Sequence, residues 1–378
     1  MMPAKRPRSL EPSPFPVPLV PAPAPIKGRG TASLIAHRFQ REERECADDG
    51  WGGLDEATHA SAAPPATQVV LEQAKSILSK NDSPDIPFIY SLNPYRGCEH
   101  GCIYCYARPT HSYLNLSPGL DFETRLIAKV NAATCLEREL SRPGYQPSPI
   151  SIGSATDAYQ PVERELKLTR GVLEVLTRCE HPFTIITKSA GVLRDVDLIA
   201  PAAQRRQAQV FVSLTTLDAT LSRILEPRAA APARRLDTVR RLSEAGIPVA
   251  VNIAPIIPFL NEPEIERLVA AAAQAGARSI HWTVLRLPWE VAPLFKEWLA
   301  QHRPEQAQRI MARVQDLRGG KDYDARHGLR MKGQGLWADL IRQRVDKAVL
   351  RYGLQTLAVP LEVAAFRPPP LASQISLL

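Results

Sequence analysis

Three cysteines fall within eight residues in Cys98-Glu-His-Gly-Cys102-Ile-Tyr-Cys105, separated by three and then two residues. Thiolates at this spacing can converge from one loop on a single inorganic centre. That there are three is informative, because a structural zinc site closes with four protein ligands and an electron-transfer [4Fe–4S] cluster is held by four cysteines. Three thiolates on a four-iron cluster leave one iron open to a substrate or cofactor. The remaining cysteines offer no obvious fourth ligand: Cys46 lies in an N-terminal stretch that reads as unfolded, while Cys135 and Cys179 sit in helical patterns and read as small buried apolar residues. The alternative is a zinc site closed by His100 or His111, which would make the chain a structural or nucleic-acid-binding protein. His100 lies inside the loop, where reaching the same ion as its neighbours would be strained.

The elements around this loop predict how it is held. Short β-type runs occur at 87–92, 149–153, 183–187, 209–214, 248–254 and 279–285. Helical patterns follow at 123–140, 168–178, 194–203, 233–245, 262–275 and 291–301. Six βα units with nearly continuous apolar strands predict an α/β fold whose parallel sheet is covered by helices. Polar residues recur where the strands end, at 154–157, Lys188, Ser213, Asn252 and Arg286. In a barrel of parallel strands this C-terminal edge is where a site is built, although Ser, Thr and Asp there also suit helix N-caps.

Of 378 residues, 35 are proline, and nine of these fall in residues 1–26. With the charged and Gly/Ala/Asp-rich stretches that follow, residues 1–66 read as a disordered tail. Residues 67–302 hold the barrel pattern, and 303–378 form a basic helical extension with a helix expected near 336–352. Residues 303–351 carry twelve Lys/Arg against six Asp/Glu, most of the whole-chain excess of +8. The loop around Tyr323, Arg326 and Arg330 is therefore a candidate surface for closing the barrel mouth or steering an anionic substrate, nucleic acid included. No run of about eighteen apolar residues occurs, and the Pro-interrupted N-terminus carries no convincing targeting pattern, so the expectation is a cytoplasmic protein with no membrane partner. Six cysteines in a chain this long are too few for a disulfide scaffold.

The C-x3-C-x2-C pattern, with the aromatic Tyr104 just before its last cysteine, resembles the signature of the radical S-adenosylmethionine (SAM) superfamily. The resemblance implies a partial (β/α)6 TIM-like barrel, matching the six units above. It also implies a [4Fe–4S] cluster on Cys98, Cys102 and Cys105 whose open iron chelates the amino and carboxylate groups of SAM. One electron, from a donor such as flavodoxin or ferredoxin, then cleaves the sulfonium bond to methionine and a 5′-deoxyadenosyl radical, which abstracts hydrogen from a substrate.

Within the superfamily the chain is similar to the spore photoproduct lyase-like, or DNA repair photolyase-like, group. The stretches that carry this are Asn93-Pro-Tyr-Arg-Gly-Cys98, Thr156-Asp-Ala-Tyr-Gln-Pro-Val-Glu163, Thr187-Lys-Ser189, Val212-Ser-Leu-Thr-Thr216, Glu226-Pro-Arg228 and Asn252-Ile-Ala-Pro-Ile-Ile-Pro258. They fall within residues 85–300. By this resemblance Tyr104 packs near the adenine, Lys188 and Ser213 bind polar groups of SAM, and Ala254 supplies backbone contacts. Arg228 is a second candidate for the SAM carboxylate, and Ser154 and Asp157 are further cofactor-binding candidates. One departure stands out. Spore photoproduct lyases carry a hydrogen-donating cysteine near the end of the second strand, where this chain reads Gly153-Ser-Ala-Thr-Asp157. A serine O–H is a far poorer hydrogen-atom donor than a thiol, so thymine-dimer reversal is not the expected reaction, and substrate and catalytic residue stay unassigned. Tyr159 could serve as a radical relay, but a tyrosine beside Pro161 more often packs.

Overall fold

In the computed structural model, residues 24–40 and 65–369 are described. The strands are β1 (Gln68–Glu72), β2 (Leu78–Lys80), β3 (Tyr90–Leu92), β4 (Tyr95–Arg96), β5 (Arg125–Lys129), β6 (Ile150–Ile152), β7 (Phe183–Thr187), β8 (Ala208–Ser213), β9 (Val249–Ile256) and β10 (Ser279–Val284). The helices are α1 (Asp121–Thr124), α2 (Ala132–Leu140), α3 (Glu163–Leu166), α4 (Leu168–Arg178), α5 (Val196–Gln204), α6 (Ala219–Leu225), α7 (Pro232–Glu244), α8 (Ile265–Gln274), α9 (Val291–His302), α10 (Pro304–Asp316) and α11 (Gly335–Arg351).

The six predicted strands are β3, β6, β7, β8, β9 and β10, in one sheet of order β10-β9-β8-β7-β6-β3-β2. Every pairing among those six is parallel, and β2 adds an antiparallel edge. Period-two alternation sorts their side chains. Ile150 and Ile152, Val210 and Val212, and Val249, Val251 and Ile253 pack in one core with Val172, Leu176, Leu242 and Leu268 of the covering helices. The intervening residues, among them Ser151, Gln209, Asn252 and His281, face the other side, so the concave surface of the partial barrel is polar.

The predicted helix over 123–140 is corrected by a second, three-stranded sheet of order β1-β5-β4. Residues 125–129 are a strand, paired parallel to β1 from Gln68↔Arg125 to Glu72↔Lys129, and the helix proper begins at Ala132. The alternation Leu126-Ile-Ala128 is equally a strand period, with Leu126 and Ala128 fully buried. The expected tail is also not wholly outside the fold. Residues 24–40 lie across the cysteine loop as a strap, whereas Cys46 and the rest of the stretch between 40 and 65 fall outside the described residues.

The basic extension is built into the barrel rather than trailing from it. Ile310 and Val314 of α10 pack with Trp298 and Leu299 of α9, and Ile341 and Val345 of α11 join the main core. The loop between them bridges the two ends of the sheet. Val284 N of β10 donates to Met331 O at 2.9 Å, while Gly328 N and Arg330 Nε each reach Asp85, in the β2–β3 connection, at 2.7 Å. Arg330 is thereby spent on Asp85, and Arg326 on Asp324 at 2.6 Å. These two charges are matched within the protein, which removes them from the steering surface the local charge surplus suggested.

Candidate cofactor site

The loop that carries the cysteines leaves β4 through Gly97, whose φ of +80° and close neighbours leave no room for a side chain. Cys98 N donates to Phe122 O at 2.9 Å, Cys105 N to Cys102 O at 3.2 Å, and Arg108 N to Cys105 O at 3.2 Å, so successive tight turns present the three thiols. Arg108 secures the loop from behind. Fully buried, it donates from Nε to Cys102 O at 3.0 Å and ion-pairs with Glu123 at 2.5 Å. Glu123 also accepts from Gly30 N of the strap at 2.9 Å.

Cys98 and Cys102 are buried and Cys105 is half-buried, and none is in a disulfide. Burial pushes both buried thiols up: Cys98 well above the usual range, and Cys102 to about 12 despite the nearby Lys188 ammonium. Bare thiols here hold their protons, and a metal centre would displace them. Each histidine offered for a zinc site turns one ring nitrogen to another group. His100 Nδ1 lies 3.3 Å from Asp157 Oδ2, and His111 Nε2 lies 3.0 Å from Arg125 O. Among the described residues no three His, Cys, Asp or Glu side chains gather around the position of a single metal ion. A four-iron cluster takes thiolates that stand further apart, and the donor set of three unpaired thiols fits it.

Beside the loop lies a buried network that sequence reading missed. The Tyr104 hydroxyl donates to the Glu226 carboxylate, and Thr215 donates to the same oxygen at 2.7 Å. Arg235, buried and nine residues along the chain in the first turn of α7, ion-pairs with Glu226 and donates to Ser213 O at 3.1 Å. Burial alone would raise the Glu226 carboxyl, but Arg235 and Lys188 overcome it and hold the group at about 2. Lys188 Nζ stands 5.9 Å from the Tyr104 ring centre. Burial would lower its ammonium, yet Cys102 and Glu226 raise it, and no hydrogen bond is made by Nζ among the described residues. A cation left without a partner at a strand end can receive a ligand carboxylate.

The predicted site residues separate into two sets. Tyr104, Lys188 and Ser213 meet around Glu226, with Ala254 beside them through its carbonyl, which lies 3.3 Å from Thr215 Oγ1. Ser154 faces the same C-terminal edge from β6, its hydroxyl accepting from Asn93 Nδ2 at 3.3 Å. Asp157 and Arg228 are already engaged. Asp157 accepts from Thr187 Oγ1 and Lys188 N, both at 2.7 Å, and from Tyr159 N at 2.8 Å, and these donors with His100 outweigh burial to hold it at about 2. Arg228 pairs with Glu99 at 3.1 Å. Tyr159 is a packing residue, with its hydroxyl on Asp195 at 3.0 Å. Tyr106, which the sequence reading passed over, is half exposed at the mouth, bonded to Ser154 O and 5.1 Å from the Arg286 guanidinium. An aromatic directly after the last cysteine was the available signal.

Residues 92–272 match the family described as the radical SAM superfamily, and the chain belongs to it. An uncharacterised protein of Mycobacterium tuberculosis is 34% identical over 283 residues, covering 74% of this chain and 79% of that one. An uncharacterised protein of Methanocaldococcus jannaschii is 26% identical over 63% of this chain and 85% of its own. Within the superfamily the fold is spore photoproduct lyase-like. A spore photoproduct lyase variant solved with bound AdoMet and dinucleoside spore photoproduct has 14% identity and a TM-score of 0.52, covering 77% of this chain and 82% of that one. No helix among the described residues is long and apolar enough to cross a membrane.

Proposed function

We propose that the protein is a radical SAM enzyme in which Cys98, Cys102 and Cys105 hold a [4Fe–4S] cluster. The observation that carries this reading is three unpaired thiols on one loop, at the C-terminal edge of the six-stranded barrel, with Lys188 beside them free to pair with a carboxylate. The cluster, when bound, supplies an electron for reductive cleavage of SAM. The chain's own residues do the rest. Lys188 pairs with the SAM carboxylate, Ser213 and Ser154 offer polar contacts, the Ala254 backbone meets the base, and the anchored Tyr104 ring packs against the adenine.

Barrel, cysteine loop and C-terminal extension act as one unit in this reading, because α10, α11 and the bridging loop complete the barrel wall. Arg228 is assigned to the loop scaffold rather than to SAM because Glu99 already pairs with it, and Asp157 serves as a scaffold carboxylate. The substrate enters beside Tyr106 and Arg286, and the site lacks a cysteine at 153–157, which argues for a reaction other than thymine-dimer reversal. The test is anaerobic reconstitution with iron and sulfide, then reduction in the presence of SAM. About four irons per chain and release of 5′-deoxyadenosine are expected, both lost in Cys102→Ala. Stoichiometric zinc without iron after anaerobic isolation would reject the reading.

A further inference from the structure

We propose that an arginine-edged cleft on the flank of the cysteine loop is the docking surface for an acidic electron-carrier protein. The inference rests on the reading that the loop holds a redox cluster. The cleft, of ≈ 430 Å³, is lined by small residues at 189–191 and 229–230, by the buried His100, and by Arg164, Arg228 and Arg234. Its arginines come from three elements: Arg164 in α3, Arg228 just after α6, and Arg234 in the first turn of α7. Arg228 is partly neutralised by Glu99 at 3.1 Å and Arg234 by Asp237 at 3.2 Å, while Arg164 is exposed and pairs with no carboxylate among the described residues.

Position favours electron entry over substrate binding. His100 is two residues from both Cys98 and Cys102, so a single residue of loop separates the cleft from two of the three cysteines. Tyr104, Ser154, Lys188, Ser213 and Ala254 do not line it, and the mouth marked by Tyr106 and Arg286 meets the loop at its other end. The chemistry favours a protein over a small anion. Cations that are exposed or already half-compensated steer an acidic surface without binding it tightly, and transient redox complexes use small, electrostatically guided interfaces. A tight phosphate site would instead need converging free donors, and the buried imidazole here faces Asp157. In the transfer the carrier loses one electron, its flavin passing from hydroquinone to semiquinone, and the cluster is the acceptor.

The probe is a reduced flavodoxin with the reconstituted holoprotein, compared between wild type and the double variant Arg164→Glu/Arg234→Glu. Two quantities are measured: flavodoxin affinity, and 5′-deoxyadenosine formation driven by flavodoxin or by dithionite. The expected result is an affinity for flavodoxin that weakens as salt rises and falls about tenfold in the variant, with flavodoxin-driven turnover falling in step. Dithionite-driven turnover should not change. Unchanged flavodoxin affinity would overturn the proposal, as would an equal loss with dithionite, or lost affinity for a single-stranded oligonucleotide with flavodoxin affinity retained. If wild type cleaves no SAM with either reductant, the cluster reading fails, and the affinity measurement still judges the cleft.

Discussion

The Tyr104 phenol is anchored on the carboxylate of Glu226, and that carboxylate is ion-paired in turn with the buried Arg235. The residue next to Cys105 is thus fixed by groups more than a hundred positions further along the chain. Removing the carboxylate in Glu226→Ala strands the Arg235 charge away from water, which costs about 3–5 kcal/mol for a broken buried pair. Glu226→Gln keeps the acceptor and should lose less. Urea unfolding of the two variants checks the order; because both remove the charge, equal losses would show that the retained acceptor contributes nothing.

The proposed pairing of Lys188 with the SAM carboxylate is open to a binding test. A half-buried ammonium with no hydrogen-bond partner that receives a carboxylate contributes about 1.5–3 kcal/mol, so Lys188→Met should weaken SAM binding about 10- to 150-fold. Equilibrium binding to the reconstituted protein measures this without turnover. The iron content should stay at the wild-type value, since Lys188 offers no ligand to the cluster.

Two glycine substitutions test the strap. A Cβ at Gly30 would stand 1.9 Å from Gly101 O, backbone against backbone, so no rotamer relieves it. Gly30→Ala should destabilise by about 1–3 kcal/mol and lower the iron retained per chain, as the strap lifts from the loop. At Gly171, inside α4, the new Cβ would meet only Ala133 at 3.6 Å. There Gly→Ala should stabilise by about 0.5–1 kcal/mol, and thermal melts with iron analysis compare the pair.

His181 sets an acid limit. It is 1% exposed, between the Tyr145 hydroxyl and the Pro182 carbonyl, each at 2.9 Å, and burial lowers its pKa from 6.5 to about 4. Between those values the unfolded chain takes up a proton that the folded chain refuses. Its contribution is therefore whole above pH 6.5 and is lost as pH falls towards about 4, a change of about 3 kcal/mol. His181→Gln should flatten the dependence of the urea midpoint on pH across that window. An unaltered slope would mean the imidazole is protonated in the fold.

Much of the barrel was legible because its strands are apolar runs, some of them punctuated by glycine at 153, 246 and 276, and its helices carry a 3.6-residue stripe, signals that are local. The cysteine loop was legible for the same reason. The Tyr104–Glu226–Arg235 network was not, because Glu226 stood only as part of a short motif and nothing in the spacing of Arg235 tells that the two are buried together. Strand β5 was absorbed into a helix because Leu126-Ile-Ala128 satisfies both periods, and pairing with β1 and β4 decides between them. Arg330 and Asp85 illustrate the limit of charge counting. Separated by 245 positions, they form one contact that spacing along the chain could not reveal.

The strap also dictates an order of assembly. Gly30 emerges early in synthesis, but its acceptor Glu123 lies 93 residues later, and Glu297, which Ser33 reaches, lies 264 residues beyond it. The cysteine loop is translated long before α9, so it waits without its final clasp while most of the barrel is being made. A nascent chain halted ahead of α9 would hold all three thiols in a loop that the Ser33–Glu297 contact has not yet closed.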